Sequence, residues 1–260
     1  YPAAGFVRAA RAYGARTLIV DDDFDGCLRL AREASRELGV YLVNSINPWR
    51  IEGQKTIVFE LLQQLGYDAP DWIALPAGNL GNTSAFGKAL REAFALGMIT
   101  RVPRLLAVQA AGAAPFAAAF AAHFATHQPV HAETIATAIK IGDPASWDRA
   151  VRAITETNGV VASVTDDEIL DAKAVIDASG VGCEPASAAS VAGVRQLRDK
   201  GVIGEHERVA AILTGHLLKD PGIIQRYHQE TEPRPARANR PIEIGATLAD
   251  VERVLKANGE

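Results

Sequence analysis

Short apolar runs alternate with longer stretches of helical periodicity along most of the chain. The short runs are rich in β-branched and aliphatic residues, as buried strands are, and they cover residues 17–20, 41–43, 72–75, 104–108, 160–164, 208–213 and 242–244. The stretches between them predict helices over residues 3–13, 24–38, 53–65, 83–96, 115–124, 147–156, 165–178, 184–199 and 248–257. Strands that alternate with helices favour an α/β fold with a doubly wound, mostly parallel sheet.

Polar residues mark the start of two of these helices. Asp21, Asp22 and Asp23 precede the helix over residues 24–38, and any of them can cap it. No other metal-ligand residues stand nearby, so the three acids favour a helix cap over a metal site. Thr165 and Glu168 have the spacing of a capping box, in which each side chain bonds an amide of the other residue.

The composition is that of an ordinary globular protein. The chain has 260 residues, of which 48% are hydrophobic and 22% charged, so it can bury a large core. A net charge of −4 argues against a nucleic-acid partner, because such proteins carry a basic stripe. The densest basic run, Arg234, Arg237 and Arg240, is interleaved with prolines, which indicates a loop.

The cysteines and the apolar runs restrict the class of protein further. Cys27 and Cys183 lie far apart and form no disulfide framework or zinc-ligand spacing, so we interpret both as small buried hydrophobic residues. No apolar run reaches the length of a membrane span, and no signal peptide is recognisable. We therefore expect a cytoplasmic protein with no bound metal and no membrane partner.

A glycine-containing loop between a predicted strand and a predicted helix is the sharpest local pattern. The loop, called the 78–82 loop below, consists of Gly78, Asn79, Leu80, Gly81 and Asn82. Its glycines let the backbone turn tightly and bring N–H groups close to an anion. A helix that begins at Thr83 would add free amides and a positive dipole end, so the pattern suits a phosphate. It matches neither the Rossmann nor the P-loop spacing, and a turn that binds nothing remains the alternative.

Two further groups have the chemistry of binding residues. Thr214 follows a predicted strand, at the end where open α/β sheets bind ligands, and its hydroxyl can bond a ring nitrogen. Asn44, Ser45 and Arg50 lie in a predicted loop, where the arginine fork and the neutral donors suit an oxyanion. The alternatives are a backbone hydrogen bond for Thr214 and ordinary surface positions for the other three residues. His216 beside Thr214 is interpreted as a solvated turn residue.

Five sequence blocks resemble, in the same order, those of the threonine synthases. The blocks are Asn-Ser-Ile-Asn-Pro-Trp-Arg-Ile-Glu-Gly-Gln-Lys-Thr at 44–56, Gly-Asn-Leu-Gly-Asn-Thr-Ser-Ala at 78–85, Ile-Ala-Thr-Ala-Ile-Lys-Ile-Gly-Asp-Pro at 135–144, Cys-Glu-Pro-Ala-Ser-Ala-Ala-Ser at 183–190 and Leu-Thr-Gly-His-Leu-Leu-Lys-Asp-Pro at 213–221. Together they span most of the chain.

The resemblance implies a fold-type II pyridoxal-phosphate enzyme that converts O-phospho-L-homoserine and water to L-threonine and phosphate. By motif, the amides of the 78–82 loop would hold the phosphate of pyridoxal 5'-phosphate, and Thr214 would lie against its pyridine nitrogen. Asn44, Ser45 and Arg50 would bind the phosphate of the substrate. Family members are often dimers, so the resemblance also implies a homodimer.

The chain departs from the family pattern in one respect. The family's lysine that forms a Schiff base with the cofactor lies in a Ser-Phe-Lys-Asp-Arg type segment, which does not occur here, so no catalytic residue is assigned. The chain also begins at Tyr1, inside a helical pattern. We expect a C-terminal fragment that is inactive alone. Residues 1–45 would end a small α/β domain, and residues 46–260 would belong to the large cofactor-binding domain.

Two other classes of function remain as alternatives. One is another fold-type II lyase, either cysteate synthase or a serine/threonine dehydratase. The residues Asn44, Ser45 and Arg50 argue against the dehydratase, whose substrate carries no phosphate, but cysteate synthase also acts on a phosphorylated amino acid. The other alternative is a non-catalytic remnant or binding scaffold, which an upstream Ser-Phe-Lys-Asp segment would exclude.

Overall fold

A parallel sheet organises the part of the chain that the computed structural model describes, which is residue 7, residues 10–44 and residues 46–257. Its strands are β1 (Trp72–Pro76), β2 (Arg104–Ala110), β3 (Val160–Val164) and β4 (Val209–Ala211). The order across the sheet is β3-β2-β1-β4. Trp72 pairs with Arg104 on β2 and with Val209 on β4, and Leu106 pairs with Val160 on β3, all in parallel.

Helices connect the strands and flank the sheet. They are α1 (Phe24–Leu38), α2 (Pro48–Gln54), α3 (Thr56–Gln64), α4 (Gly81–Ala95), α5 (Pro115–Ala121), α6 (Trp147–Glu156), α7 (Asp166–Ala178), α8 (Pro185–Asp199), α9 (Pro221–Gln225) and α10 (Leu248–Ala257). Short 3-10 turns lie at Ala111–Ala113, Thr137–Ile139 and Leu217–Lys219, and a π turn lies at Arg226–Glu230. The predicted caps are confirmed. Asp23 accepts the Gly26 amide at 2.8 Å before α1, and Thr165 and Glu168 form the capping box of α7.

Each face of the sheet buries its own apolar cluster. Successive strand residues point to opposite faces, so Ile73 and Leu75 pack with α4 and α6 on one side. Ala74 and Leu106 pack with α7 and α8 on the other side. Every residue of β1 is buried, as expected for a parallel strand covered by helices on both faces. The predicted doubly wound α/β fold is confirmed.

Three predicted strands are wrong. Residues 17–20, 41–43 and 242–244 form no strand, and Leu18 is 81% exposed. A strand is stabilised by hydrogen bonds to a neighbouring strand, and the described residues offer these apolar runs no such neighbour. The predicted helix over residues 3–13 falls partly outside the described residues. Within it, Val7 and residues 10–12 are helical, and the helix ends at Gly14 with a φ of 80°.

The chain divides into two compact units, Tyr1–Pro221 and Gly222–Glu260. This division lies after residue 221 and does not test the predicted domain boundary between residues 45 and 46, which stays a prediction. In the second unit, Arg234 and Arg240 donate to the carbonyl oxygens of Ala238 at 2.9 Å and Thr231 at 3.2 Å. They therefore stabilise an irregular segment, as the prolines predicted. None of the helices in the described ranges is both long and apolar enough to cross a membrane.

Candidate functional site

The 78–82 loop leaves the carboxyl end of β1 and is fixed by close packing at its first residue. The amide of Ala77 donates to the Val108 carbonyl oxygen at 2.8 Å, so the chain stays beside β2 just past the strand. Gly78 is buried. A Cβ atom there would stand 3.0 Å from Ile139 Cα and 3.1 Å from the Ala138 carbonyl oxygen. A side chain at position 78 would therefore push the loop away from the segment around residue 139.

The helix after the loop begins earlier than the sequence predicted. We expected it to start at Thr83, but α4 begins at Gly81. Leu80 makes the turn in the left-handed conformation, with a φ of 62°, and it is almost fully buried. That conformation costs a non-glycine residue about 1–2 kcal/mol, which burial of the leucine side chain can offset. The amides of Gly81 and Asn82 thus belong to the first turn of a helix.

The backbone amides of this loop are free of acceptors in the part of the chain that the structure describes. Among the described residues, nothing accepts a hydrogen bond from the N–H groups of residues 78–82. The first amides of a helix lack intrahelical partners, and the helix dipole makes that end positive. Such an end is an anion-binding site. The predicted role of the 78–82 loop as a phosphate site therefore fits its geometry.

A neighbouring segment holds the loop in place. The Oδ1 atom of Asn79 accepts the Ala145 amide at 2.6 Å, and the Asn79 carbonyl oxygen accepts the Ser146 amide at 3.3 Å. Ser84 Oγ donates to the Leu80 carbonyl oxygen at 2.8 Å. Oδ1 of Asn79 is therefore engaged by the neighbouring segment, which leaves the backbone N–H and the Nδ2 group of Asn79 as donors for a ligand.

Two buried side-chain oxygens beside the loop lack a hydrogen-bond partner among the described residues. They are Asn82 Oδ1 and Thr83 Oγ1, and Thr83 is fully buried. A buried polar atom without a partner costs about 1–3 kcal/mol, so both oxygens indicate a polar ligand at this turn. Sequence reasoning named Asn82 but missed Thr83, which it took only as the first residue of a helix.

Thr214 lies at the same edge of the sheet as the 78–82 loop. Strands β1 and β4 are parallel neighbours, and the Ile212 amide donates to the Ala74 carbonyl oxygen at 2.8 Å past the end of β4. Both loops therefore leave the carboxyl edge, where open α/β sheets bind ligands. Thr214 is exposed, and its Oγ1 lies 3.1 Å from Ser187 Oγ. Its hydroxyl thus bonds a side chain rather than the backbone group considered as the alternative.

Asn44 and Arg50 contact each other, although Arg50 does not lie in the predicted loop. Pro48 is the first residue of α2, and Asn47 caps that helix by accepting the Trp49 amide at 2.9 Å. A proline at the first helical position needs no amide partner, so it starts the helix rather than breaking it. Arg50 Nη1 donates to Asn44 Oδ1, and the Arg50 side chain is exposed. Ser45 lies outside the described residues.

Helix α2 also connects this pair of residues to the 78–82 loop. Gln54, one helical turn after Arg50, places Oε1 3.4 Å from where a Cβ of Gly81 would stand. Lys55 Nζ bonds both Glu52 and Glu92, each at 2.8 Å, and Lys88 bonds Glu52. These lysines lower the pKa of the Glu52 carboxyl, and hydrogen bonds to Glu52 and Glu92 raise the pKa of Lys55. The ion pairs fix α2 against α4.

The remaining reactive side chains near the site are chemically quiet. Burial raises the pKa of the Cys183 thiol to about 11, so the thiol is protonated at neutral pH and is no nucleophile. Cys27 is half-buried and, like Cys183, forms no disulfide. Each lysine of the recognised sequence blocks pairs with a carboxylate: Lys55 with Glu52 and Glu92, Lys140 with Glu133, and Lys219 with Glu184. None of these lysines is placed to serve as a free base.

Known proteins resemble this chain in sequence and in fold. A family model described as pyridoxal-phosphate dependent enzyme matches residues 2–215. The threonine synthase of Methanosarcina acetivorans is 48% identical over 221 residues, which are 84% of this chain and 55% of that protein. The threonine synthase of Mycobacterium leprae is 45% identical over 243 residues, 93% of this chain and 65% of its own length.

A solved structure supports the fold. The crystal structure of threonine synthase from Escherichia coli matches 94% of this chain and 59% of its own chain, with a TM-score of 0.67 and 23% sequence identity. The chain therefore spans about half to two thirds of the length of these relatives. Because the family model matches well over half of the chain, the chain belongs to the pyridoxal-phosphate dependent enzymes.

Proposed function

We propose that the protein carrying this chain is a threonine synthase, which converts O-phospho-L-homoserine and water to L-threonine and phosphate. The observation that carries the proposal is the 78–82 loop, whose amides have no acceptor among the described residues. The loop leaves the same carboxyl edge of the sheet as the segment that contains Thr214. The 48% and 45% identities to two threonine synthases support the choice within the family.

The described residues fit pyridoxal 5'-phosphate. The amides of the 78–82 loop would bind its phosphate, and the buried Thr83 hydroxyl, which has no partner among the described residues, could donate to it as well. Thr214 would bond the pyridine nitrogen as a neutral partner. When bound, pyridoxal phosphate supplies an electron sink for charge that develops on the substrate carbons. A neutral threonine does not hold the ring nitrogen protonated, so it moderates that sink.

Asn44, Ser45 and Arg50 would bind the phosphate group of the substrate. Arginine offers a planar fork of donors that suits phosphate oxygens, and the Asn44 side chain already orients the guanidinium of Arg50. Because Gln54 of the same helix reaches Gly81, α2 would keep the substrate's phosphate within reach of the cofactor site. When the Cγ–O bond of the substrate breaks, this arginine would hold the charge of the departing phosphate.

Cysteate synthase is the alternative within the family, since it also takes a phosphorylated amino acid. The discriminating measurement is kcat/KM of the full-length protein for O-phospho-L-homoserine and for a phosphorylated amino acid with a shorter side chain, O-phospho-L-serine. A threonine synthase prefers the first and releases L-threonine. Preference for the second substrate without threonine formation would contradict the proposal.

The role of Arg50 is tested by the Arg50→Ala variant of the full-length protein. We expect kcat/KM for O-phospho-L-homoserine to fall about 10- to 100-fold, the effect of losing a charged hydrogen bond to phosphate. The dissociation constant for pyridoxal phosphate should not change. Steady-state kinetics and a binding titration measure the two effects.

The control for this experiment is Arg195→Ala, which removes an exposed arginine from α8. It should leave both constants unchanged. An Arg50→Ala enzyme with the same kcat/KM as the Arg195→Ala control would contradict the role of Arg50 in substrate binding.

Three further expectations belong to the same proposal. Residues 1–45 would close a small α/β domain, and residues 46–260 would belong to the large domain that holds the cofactor. The enzyme would be a homodimer in the cytoplasm. Size measurement of the purified full-length protein in solution tests the dimer, and a mass of one chain would contradict it.

A further inference from the structure

A pair of hydroxyl groups joins Thr214 to the start of α8. Ser187 Oγ lies 3.1 Å from Thr214 Oγ1, and the Gly215 amide donates to Ser187 Oγ at 2.8 Å. Ser187 stands in the first turn of α8 and is fully buried, whereas Thr214 is exposed. Helix α8 packs on the sheet, in the cluster that contains Ala74 and Leu106. The position of Ser187 is therefore set by the core of the protein.

The direction of the bond between the two hydroxyls follows from counting protons. The Gly215 amide already donates to Ser187 Oγ, so that oxygen acts as an acceptor there. If Thr214 also donated to Ser187, the Ser187 proton would need another acceptor, and the described residues provide none. A buried donor without a partner is costly. The exposed Thr214 can instead give its proton to solvent or to a ligand. Ser187 is therefore the donor and Thr214 the acceptor.

We propose that Ser187 is a positioning residue, which turns the Thr214 hydroxyl outward as a hydrogen-bond donor to the ring nitrogen of the cofactor. The inference rests on the proposed function, because it needs pyridoxal phosphate in this crevice. Because Thr214 accepts from Ser187, its own proton is available for donation, and we expect the ring nitrogen to accept it. A nitrogen that accepts this bond is unprotonated, so the protein would select that form of the ring.

The test uses the full-length protein with pyridoxal phosphate labelled with ¹⁵N at the ring nitrogen. In the wild type, we expect the ¹⁵N resonance of an unprotonated nitrogen that accepts a hydrogen bond. Ser187→Ala should shift this resonance towards that of a ring nitrogen without a hydrogen bond. It should also weaken cofactor binding about three- to tenfold, the usual effect of one hydrogen bond.

Ser190→Ala is the matched control, because Ser190 is equally buried on the same helix. Its Oγ donates to the Ser187 carbonyl oxygen at 2.7 Å and makes no bond to Thr214. It should leave the resonance in place. Ser187→Cys retains the size of the side chain but donates more weakly, so it should give an intermediate shift. This second variant keeps the test available if the alanine variant fails to fold.

A double variant separates positioning from a general structural effect. In a Thr214→Val background, Ser187→Ala should cause no further shift and little further loss of affinity, because Ser187 acts only through Thr214. Additive effects would overturn the inference, as would a Ser187→Ala resonance identical to that of Ser190→Ala. A wild-type protein that binds no pyridoxal phosphate would contradict the proposed function itself, which distinguishes the two failures.

Discussion

The hydroxyl of Thr83 is fully buried at the start of α4 and has no hydrogen-bond partner among the described residues. One residue earlier, Asn82 Oδ1 is also buried and has no partner among the described residues. Proteins rarely leave such atoms unpaired, since each costs about 1–3 kcal/mol. Thr83 follows the loop amides that have no acceptor among the described residues, and its hydroxyl can donate to the same anion, whereas Asn82 Oδ1 accepts and needs a donor.

Replacement of Thr83 by valine tests whether its hydroxyl serves a ligand. Thr83→Val keeps the shape of the side chain and removes the unpaired oxygen, so the cofactor-free protein should unfold at an equal or higher temperature. Binding of pyridoxal phosphate should weaken about three- to tenfold. Thermal unfolding and an equilibrium titration of the full-length protein measure the two effects.

Thr157→Val is the control, because the buried Thr157 hydroxyl already bonds the Ala153 carbonyl oxygen at 2.8 Å. This variant should be less stable and should bind pyridoxal phosphate normally. If Thr83→Val destabilised the protein in the same way and left cofactor binding intact, the hydroxyl of Thr83 would have no ligand.

Some residues of the candidate site could be predicted from the sequence and others could not. The two glycines and the following helix predicted the 78–82 loop, because the turn chemistry is local. Thr83 could not be found in this way, since burial and a missing partner appear only in the folded protein. The sequence predicts Arg50 in a loop because Pro48 interrupts the helical pattern, but Pro48 in fact starts a helix, a position where proline is common.

At the scale of elements, the site depends on close packing between the 78–82 loop and the 3-10 turn Thr137–Ile139. The approach leaves Gly78 no room for a side chain, as a Cβ would meet backbone atoms at 3.0 Å and 3.1 Å. The block at residues 135–144 thus packs against the loop through its backbone and supports it. Its backbone therefore limits where the loop can lie.

A methyl group at position 78 should therefore be damaging. We expect Gly78→Ala to lower the free energy of unfolding by about 1–3 kcal/mol, the range for overpacked sites, and to weaken binding of pyridoxal phosphate. Urea unfolding measures the first effect. Gly53→Ala is the control, because a Cβ at Gly53 in α2 meets nothing within 4 Å and alanine favours a helix. A Gly78→Ala protein as stable as this control would contradict the packing argument.

The elements that the sequence predicted best are those with strong local patterns. Helices α1, α6 and α10 have the predicted bounds, and so does β3. The runs at residues 17–20, 41–43 and 242–244 have the composition of strands, but pairing decides whether a run becomes a strand. Composition alone cannot supply the neighbouring strand. The strand predicted over residues 208–213 is also shorter, Val209–Ala211, for it pairs with only three residues of β1.

At the scale of the whole molecule, the sheet brings distant parts of the chain together. The 78–82 loop and Thr214 are far apart in sequence, but they follow strands that pair directly, β1 and β4. The alternating pattern predicted a parallel sheet and hence a shared carboxyl edge. It did not give the order β3-β2-β1-β4, because strand order depends on long-range pairing. It also did not give the division after Pro221, which reflects contacts within each unit.

The proposed function depends above all on binding of the cofactor phosphate by the amides of the 78–82 loop. A crystal structure of the full-length protein with pyridoxal 5'-phosphate tests it most directly. We expect phosphate oxygens within about 3 Å of the amide nitrogens of this loop, with the pyridine nitrogen against Thr214. A phosphate bound elsewhere, with these amides facing only solvent, would contradict it.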